Sequence, residues 1–126
     1  MIAKERVLNP CKTKATHLLH GKRAEDQAHD FLVRSGLVPV LRNYRCKHGE
    51  LDLIMRDHNS LVIVEVRYRK SDAYGSALES VTPDKQARIV AATQHYLSTI
   101  NVNSALRFDV VAISGNGNID WIKNAF

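Results

Sequence analysis

Apolar and polar residues in the middle of the chain follow the patterns of two β-strands joined by a short turn. The two segments are residues 49–56 (GELDLIMR) and residues 61–69 (LVIVEVRYR). Both are rich in residues that favour strands, and the intervening sequence DHNS is typical of a turn. The second segment is apolar at each of the positions 61–64, so both of its faces are apolar. The pattern therefore predicts a β-hairpin whose second strand is central in a sheet.

Helical and strand patterns flank this hairpin. Residues 21–35 place apolar side chains at the spacing of one helix face, and Gly36 suits the end of that helix. A second helix is predicted to begin after Thr82, because Thr82 suits the N-cap, Pro83 the first helical position and Asp84 the first turn. Further strands are predicted over residues 37–44, 107–113 and 119–122.

The order of these elements is α-β-β-β-α-β with a short last strand. It predicts an α/β protein with a mixed central sheet flanked by helices. The chain has 126 residues, which is the size of one domain that can bury its own core, and we predict that domain over residues 21–126. Residues 1–20 show no clean period and hold four basic residues against one acidic residue, so they are interpreted as a flexible basic arm.

Charge and composition narrow the class of partner. The net charge of +5 suits a polyanion such as nucleic acid. No apolar run is long enough to span a bilayer, so we expect no membrane partner. Cys11 and Cys46 match no metal-ligand spacing and are interpreted as free thiols, which favours a reducing cytoplasm. The six histidines lack the spacing of a zinc motif, which argues against zinc.

The hairpin places two carboxylates opposite each other. With an even-numbered loop, Asp52 faces Glu65 and Glu50 faces Arg67. Opposed side chains in an antiparallel pair have Cβ atoms about 4.5–5.5 Å apart, so two carboxylates there repel unless a cation lies between them. Mg²⁺ is bound by one or two carboxylates with waters and phosphate oxygens. The pair is therefore interpreted as half of a metal site that cleaves phosphodiesters; the alternative is a solvated pair on an exposed strand face.

Other charged residues lie where they could complete such a site. Glu25 borders the apolar face of the first helix; it either reaches the sheet or lies in solvent and stabilises the helix N-terminus by its charge. Basic residues cluster around the predicted sheet ends, where they suit phosphate contacts without sequence readout or are simply solvated. These basic residues are Arg42, Arg45, Lys47, Arg69 and Lys70.

Taken together, the motifs resemble a known family. The order of elements, with Gly49-Glu50-Leu51-Asp52 and Glu65-Val66-Arg67 on adjacent strands, resembles the PD-(D/E)xK nuclease superfamily, whose fold is restriction-endonuclease-like. From about Gly21 to the C-terminus the chain looks like the YraN family of small bacterial proteins, which is similar in fold to archaeal Holliday-junction resolvases. The closer resemblance is carried by Gly21, Ala24-Glu25, Ala28, Gly36, Arg42-Asn43, GELDLI, VEVRYR, Tyr74-Gly75, Lys85 and RFDVV.

The resemblance implies a metal centre. Asp52 and Glu65 would hold Mg²⁺ or Mn²⁺, and the backbone carbonyl of Val66 would be a further ligand. Glu25 matches the first-helix glutamate of the resolvase-like branch and would bind the metal directly or through water.

The chain departs from the superfamily at the usual lysine, where it has Arg67. Arginine stays protonated and cannot take a proton from water. Arg67 would therefore clamp a phosphate, or it would only pair with Glu50 across the hairpin. Lys85, in the first turn of the second helix, would supply the missing ammonium, or it is a solvated surface lysine.

The resemblance implies a metal-dependent endonuclease that acts on structured or branched DNA in the cytoplasm. Two alternatives stay open. One is a nucleic-acid-binding module that kept the acidic site without useful activity, which Arg67 favours. The other is a non-enzymatic interaction protein on the same fold, because fold alone does not fix function. A homodimer is also left open.

Overall fold

The computed structural model of the protein describes residues 14–70, 80–101 and 103–126. Within them, two helices and five strands are present, and the strands form one sheet in the order in which they occur along the chain. The elements are α1 (Lys14–Arg34), β1 (Val38–Cys46), β2 (Gly49–Asp57), β3 (Ser60–Arg69), α2 (Pro83–Ser98), β4 (Ala105–Ser114) and β5 (Ile119–Ile122).

The sheet is mixed. β3 and β4 pair in parallel, and the chain between them includes α2, whereas the other neighbouring strands pair antiparallel. Parallel neighbours need a crossover connection, which is usually a helix. The order of elements and the mixed sheet are those predicted from the sequence, and they match the restriction-endonuclease-like fold.

The hairpin of β2 and β3 has the predicted register. Ile54 pairs with Ile63, and the strands are joined by a two-residue loop of His58 and Asn59. His58 adopts a left-handed φ of 57°, as tight hairpin turns require. Because the loop is even-numbered, the pairs from Asp57–Ser60 to Leu53–Val64 are in the expected register.

Apolar side chains cover both faces of the sheet, and each face packs against one helix. On β3, Leu61 and Ile63 belong to the core under α2. Val62 and Val64 belong to the core under α1. Burying an aliphatic side chain stabilises a fold by about 1.5–3 kcal/mol, so these two layers fix the position of β3 between the helices.

α2 begins where the sequence predicted. The Thr82 side chain accepts a hydrogen bond from the backbone N–H of Lys85 at 3.2 Å, and Pro83 is the first helical residue. Ile89 and Tyr96 are buried on the side of α2 that faces the sheet. The cap and the apolar face together fix the direction in which the first turn of α2 presents its side chains.

α1 begins earlier than predicted. It starts at Lys14 rather than at Gly21, so residues 14–20 of the expected arm are helical. The sequence offers Gly21 as a boundary, but a glycine inside a helix costs only about 1 kcal/mol relative to alanine. The rest of the expected arm, residues 1–13, lies outside the described residues. Neither described helix is long and apolar enough to cross a membrane.

β1 changes faces at one residue. Residues two apart on a regular strand share a face. Arg42, however, contacts Asp26 of α1 at 2.7 Å. The ring of Tyr44 contacts the ring of Tyr96 on α2, with centroids 5.1 Å apart. Between them, Asn43 has a left-handed φ of 56°, which accounts for the change of face.

β2 changes faces at the matching position. Leu53 belongs to the core under α1, whereas Leu51 belongs to the core under α2. Asp52 lies between them and opposite Asn43 in the β1–β2 pairing. Both β1 and β2 therefore change faces at the same level of the sheet, and Asp52 lies at the centre of that change.

A buried aspartate lies on β4. Asp109 is fully buried and accepts two hydrogen bonds from Arg107, at 2.9 and 2.8 Å. It also accepts one from the Trp121 indole at 2.9 Å and one from the backbone N–H of Asn124 at 3.0 Å. Arg107 in turn donates to Asp57 at 3.0 Å. The network ties the end of β2 to β4 and to the segment that contains β5.

Candidate metal centre

Asp52 lies where β2 separates from β3. The ladder between these strands runs from Asp57 paired with Ser60 to Leu53 paired with Val64. The next contact is made by a side chain, because the Asp52 carboxylate accepts the backbone N–H of Val66 at 2.9 Å. Asp52 is thus on the strand adjacent to that of Glu65, as predicted, and its carboxylate lies in the gap that opens between the two strands.

Glu65 is buried beside two cations. Its side chain is 5% exposed. The ammonium of Lys85 lies 3.2 Å from Oε2 of Glu65, and the guanidinium of Arg67 lies 3.5 Å from the same oxygen. A buried carboxylate without such partners would be costly. The structure therefore brings together three residues singled out from the sequence, one of them from α2.

Glu25 reaches the site from α1. Its carboxylate lies 3.9 Å from the Arg42 guanidinium, and the side chain of Asn43 is near it. Burial raises the pKa of Glu25, while Arg42 and Asn43 oppose that rise. Glu25 is close enough to Asp52 for its negative charge to act on that carboxyl. Of the two alternatives for this residue, the structure places it at the sheet.

Burial and like charge act together on Asp52. Burial raises the pKa of its carboxyl to about 8, and the neighbouring charge of Glu65 adds to the rise. The hydrogen bond from Val66 opposes it, and Glu25 contributes a smaller rise. In the metal-free protein, Asp52 therefore holds a proton at neutral pH, and a divalent cation that binds there displaces that proton.

The donor set fits a hard divalent cation. Asp52 and Glu65 offer carboxylate oxygens, which are the protein ligands of Mg²⁺ and Mn²⁺. No group of three or more histidine, cysteine, aspartate or glutamate side chains that could hold a metal is found within the described ranges. Two carboxylates suffice for Mg²⁺, because it retains waters and binds substrate phosphate oxygens. The site fits such a cation and offers no closed zinc cage.

The backbone of Val66 faces the same gap. Its N–H donates to Asp52, so it points towards β2. The N–H and C=O of one strand residue point to the same side, because paired residues exchange both bonds. The Val66 carbonyl is therefore directed to the gap that holds the Asp52 carboxylate, as a further metal ligand would have to be.

One predicted ion pair is wrong. The hairpin register suggested that Arg67 pairs with Glu50, but the structure shows Arg67 beside Glu65, at 3.5 Å. Glu50 instead contacts Arg45, its partner on β1, at 3.4 Å. The reason is the separation of the strands at Asp52, which carries Glu50 away with β1. Counting pairs along a regular ladder cannot detect such a separation.

Arg42 and Asn43 lie beside the acidic residues of α1, which the sequence did not predict. Arg42 was grouped with surface cations, yet it binds the acidic pair of α1, contacting Asp26 at 2.7 Å. Asn43 was only part of a family motif. Asparagine inside a strand pattern is a signal for a left-handed residue, since it tolerates positive φ better than most residues. The Tyr74-Gly75 motif falls in residues 71–79, outside the described residues.

Comparison with known proteins identifies the family. The model of uncharacterised protein family UPF0102 matches residues 24–113. The chain belongs to the UPF0102 family. It is 54% identical over 114 residues to a UPF0102 protein of Saccharophagus degradans, covering 89% of this chain and 96% of that protein. It is 51% identical over 114 residues to one of Cupriavidus pinatubonensis, covering 90% and 89%.

A third UPF0102 protein, from Nitrosococcus oceani, is 49% identical over 117 residues, covering 89% of this chain and 94% of that protein. The YraN family is this same family, so the resemblance drawn from the motifs is confirmed. Every candidate site residue from Glu25 to Lys85 lies within the matched UPF0102 segment.

The pKa of Asp52 predicts how stability depends on pH in the metal-free protein. The folded-state pKa of about 8 lies above the ordinary value of 3.8, so the folded state holds the proton more tightly than the unfolded state. The stabilisation is complete below the ordinary pKa and is lost as pH rises through about 8. We expect the free energy of unfolding of wild type, relative to Asp52→Asn, to fall by up to about 1.4 kcal/mol per pH unit in this window.

Urea unfolding in EDTA at several pH values measures this difference. Asp30→Asn is a matched control, because Asp30 is an exposed carboxylate on α1, with 61% of its side chain accessible. Its unfolding free energy should run parallel to that of wild type at every pH. If the unfolding free energies of wild type and Asp52→Asn run parallel with pH, Asp52 does not hold a proton in the folded state at neutral pH.

Proposed function

We propose that this chain is a divalent-metal-dependent nuclease that acts on structured or branched DNA. The observation that carries the proposal is the pair of half-buried Asp52 and buried Glu65, in which the charge of Glu65 adds to the rise that burial causes in the pKa of Asp52. A fold gains no stability from such a pair, whereas a bound cation relieves the repulsion. Cations at the edge of the pair suit a phosphate substrate.

In this proposal Asp52 and Glu65 hold Mg²⁺ or Mn²⁺, the Val66 carbonyl is a further ligand, and Glu25 binds the metal directly or through water. The bound metal would polarise the scissile phosphate and lower the pKa of an attacking water. Burial of Glu65 limits the access of bulk water, which strengthens each electrostatic interaction within the site.

Arg67 and Lys85 have different roles in this proposal. Both contact Oε2 of Glu65, so both lie at the edge of the metal centre. Arg67 stays protonated, and its planar guanidinium binds two phosphate oxygens at once and stabilises their charge. The Lys85 ammonium can exchange a proton, so it serves to orient the attacking water or to protonate the leaving oxygen.

An exposed basic surface next to the site suits the DNA backbone. The end of β1 and the turn after it carry Arg45 and Lys47, both exposed. Arg88 of α2 is exposed as well, and it lies beside the turn, since its Cβ would be 3.5 Å from a Cβ built at Gly49. Such residues bind phosphates without reading bases, which fits recognition of DNA by shape.

A second candidate function is a nucleic-acid-binding module that retains the acidic pair without cleavage. The observation that favours it is Arg67 in the position of the superfamily lysine. Metal-dependent cleavage separates the two functions, because both predict binding of a divalent cation.

Asp52→Asn tests the metal centre. The change removes one ligand charge with little change in volume, so we expect Mn²⁺ affinity to fall more than about 10-fold and cleavage to disappear. Isothermal titration with Mn²⁺ measures the first effect. Cleavage of duplex, single-stranded, flap and four-way-junction DNA, with RNA included, measures the second. Asp120→Asn, an exposed carboxylate on β5, should leave both unchanged.

The outcomes separate the candidates. Cleavage that survives Asp52→Asn, in protein free of contaminating nuclease, refutes the enzyme mechanism. Mn²⁺ binding at Asp52 without cleavage by wild type supports the binding module. Failure of wild type to bind Mn²⁺ refutes both and leaves a non-enzymatic interaction protein.

Substitution of Arg67 tests its role at the substrate. Arg67→Lys keeps a cation beside Glu65 and should preserve or raise cleavage. Arg67→Ala should lower kcat by at least about 10-fold, since it removes a charge that stabilises the transition state. Single-turnover cleavage at saturating Mn²⁺ measures both. Equal rates for wild type and Arg67→Ala would show that Arg67 only neutralises Glu65.

The basic surface predicts the salt dependence of binding. Replacing both Arg45 and Lys47 with glutamine should reduce the slope of log affinity against log salt by about 0.9 for each lost phosphate contact. The reduction should be alike for DNA of any sequence. Replacing Arg34, the last residue of α1, and Lys123, the residue after β5, removes the same charge and should leave the slope unchanged. Fluorescence anisotropy in Ca²⁺ or EDTA measures it, and equal slopes for both double variants would contradict the assignment.

A further inference from the structure

Asn43 has an unusual conformation at a critical point of the sheet. It lies in the middle of β1 with a left-handed φ of 56°, between the pairs Arg42–Leu53 and Tyr44–Leu51. It is therefore opposite Asp52. Among L-residues, asparagine, aspartate and histidine adopt this conformation most readily, and glycine adopts it without strain.

The conformation of Asn43 determines where its neighbours point. Arg42 faces α1, where it contacts Asp26, and Tyr44 faces α2, where it contacts Tyr96. On a regular strand both would face the same helix. The opposing strand follows this change of face, and the carboxylate of Asp52 reaches the backbone N–H of Val66 instead of lying over one core.

The side chain of Asn43 has a second contact. The exposed side chain of Asn43 lies near the carboxylate of Glu25 on α1 and lowers the pKa of that carboxyl. Arg42, the preceding residue, contacts Glu25 at 3.9 Å from the same side. Arg42 and Asn43, two consecutive residues of β1, thus lie beside the acidic residues Glu25 and Asp26 of α1. A residue that only relieved backbone strain would not need this contact.

We infer that Asn43 is a positioning residue of the metal centre, which orients Glu25 through its amide as a third acidic group beside Asp52 and Glu65. The inference rests on the proposed function, since it concerns the same divalent cation. Asn43 would then influence the metal centre without contacting the cation or the substrate. Partners of this kind tune metal affinity, typically by 10–100-fold.

Glycine at this position separates the two properties of asparagine. Asn43→Gly retains the backbone conformation and removes the amide, so the protein should unfold at a urea midpoint close to that of wild type. Mn²⁺ affinity of the metal-free protein, measured by isothermal titration, should fall about 10-fold. Asn124→Gly is the matched control, because Asn124 also has a left-handed φ, of 54°, and lies beside Asp109. It should bind Mn²⁺ as tightly as wild type.

A double-mutant cycle shows whether Asn43 acts through Glu25. Glu25→Gln should weaken Mn²⁺ binding about as much as Asn43→Gly, and the double variant should be no weaker than Glu25→Gln alone. If the two fold-losses of Mn²⁺ affinity multiply in the double variant, the inference is overturned. It is also overturned if Asn43→Gly binds Mn²⁺ as tightly as wild type. These results leave the proposed function intact, because wild type still binds Mn²⁺. Wild type that binds no Mn²⁺ overturns both.

Discussion

The hydrogen bond from the Val66 backbone to the Asp52 carboxylate is the contact on which the geometry of the site depends. In an uninterrupted ladder this N–H would bind a backbone carbonyl of β2. Because a side chain takes that place, β2 is free to leave β3, to follow β1 and to exchange faces with it. The same contact opens a gap between two central strands and places a carboxylate in it. Glu65 lies beside this gap. The apolar cores on the two faces of β3 hold that strand in place.

Two aspartates of this sheet show how a structural carboxylate differs from one suited to bind a ligand. Asp109 receives four hydrogen bonds, two of them from Arg107, so its charge is neutralised within the fold. Asp52 receives the bond from Val66, and burial together with the neighbouring charges of Glu65, Glu25 and Glu50 raises the pKa of its carboxyl. A guanidinium neutralises the charge of Asp109, whereas a proton neutralises Asp52 at neutral pH. Under the proposed function a cation would take the place of that proton.

The sequence predicted those features that depend on local rules. Loop parity and strand patterning determine that Asp52 and Glu65 lie on adjacent strands, and capping chemistry determines where α2 begins. The pairing of Glu50 was wrong because it extrapolated a regular ladder through a point where the strands separate. The helix start at Lys14 was missed because Gly21 suggested a boundary, whereas a glycine inside a helix costs only about 1 kcal/mol relative to alanine. The role inferred for Asn43, which is to position Glu25, depends on the proximity of α1 and β1. No local sequence pattern encodes that proximity.

The crossover between β3 and β4 has a consequence for the source of the ammonium. The chain between these parallel strands includes α2, whose first turn places the Lys85 ammonium 3.2 Å from Glu65 on β3. An ammonium beside the acidic pair therefore does not have to come from the strand. Under the proposed function, position 67 would need a positive charge rather than a lysine. A change at that position would leave in place the chemical group that the helix supplies.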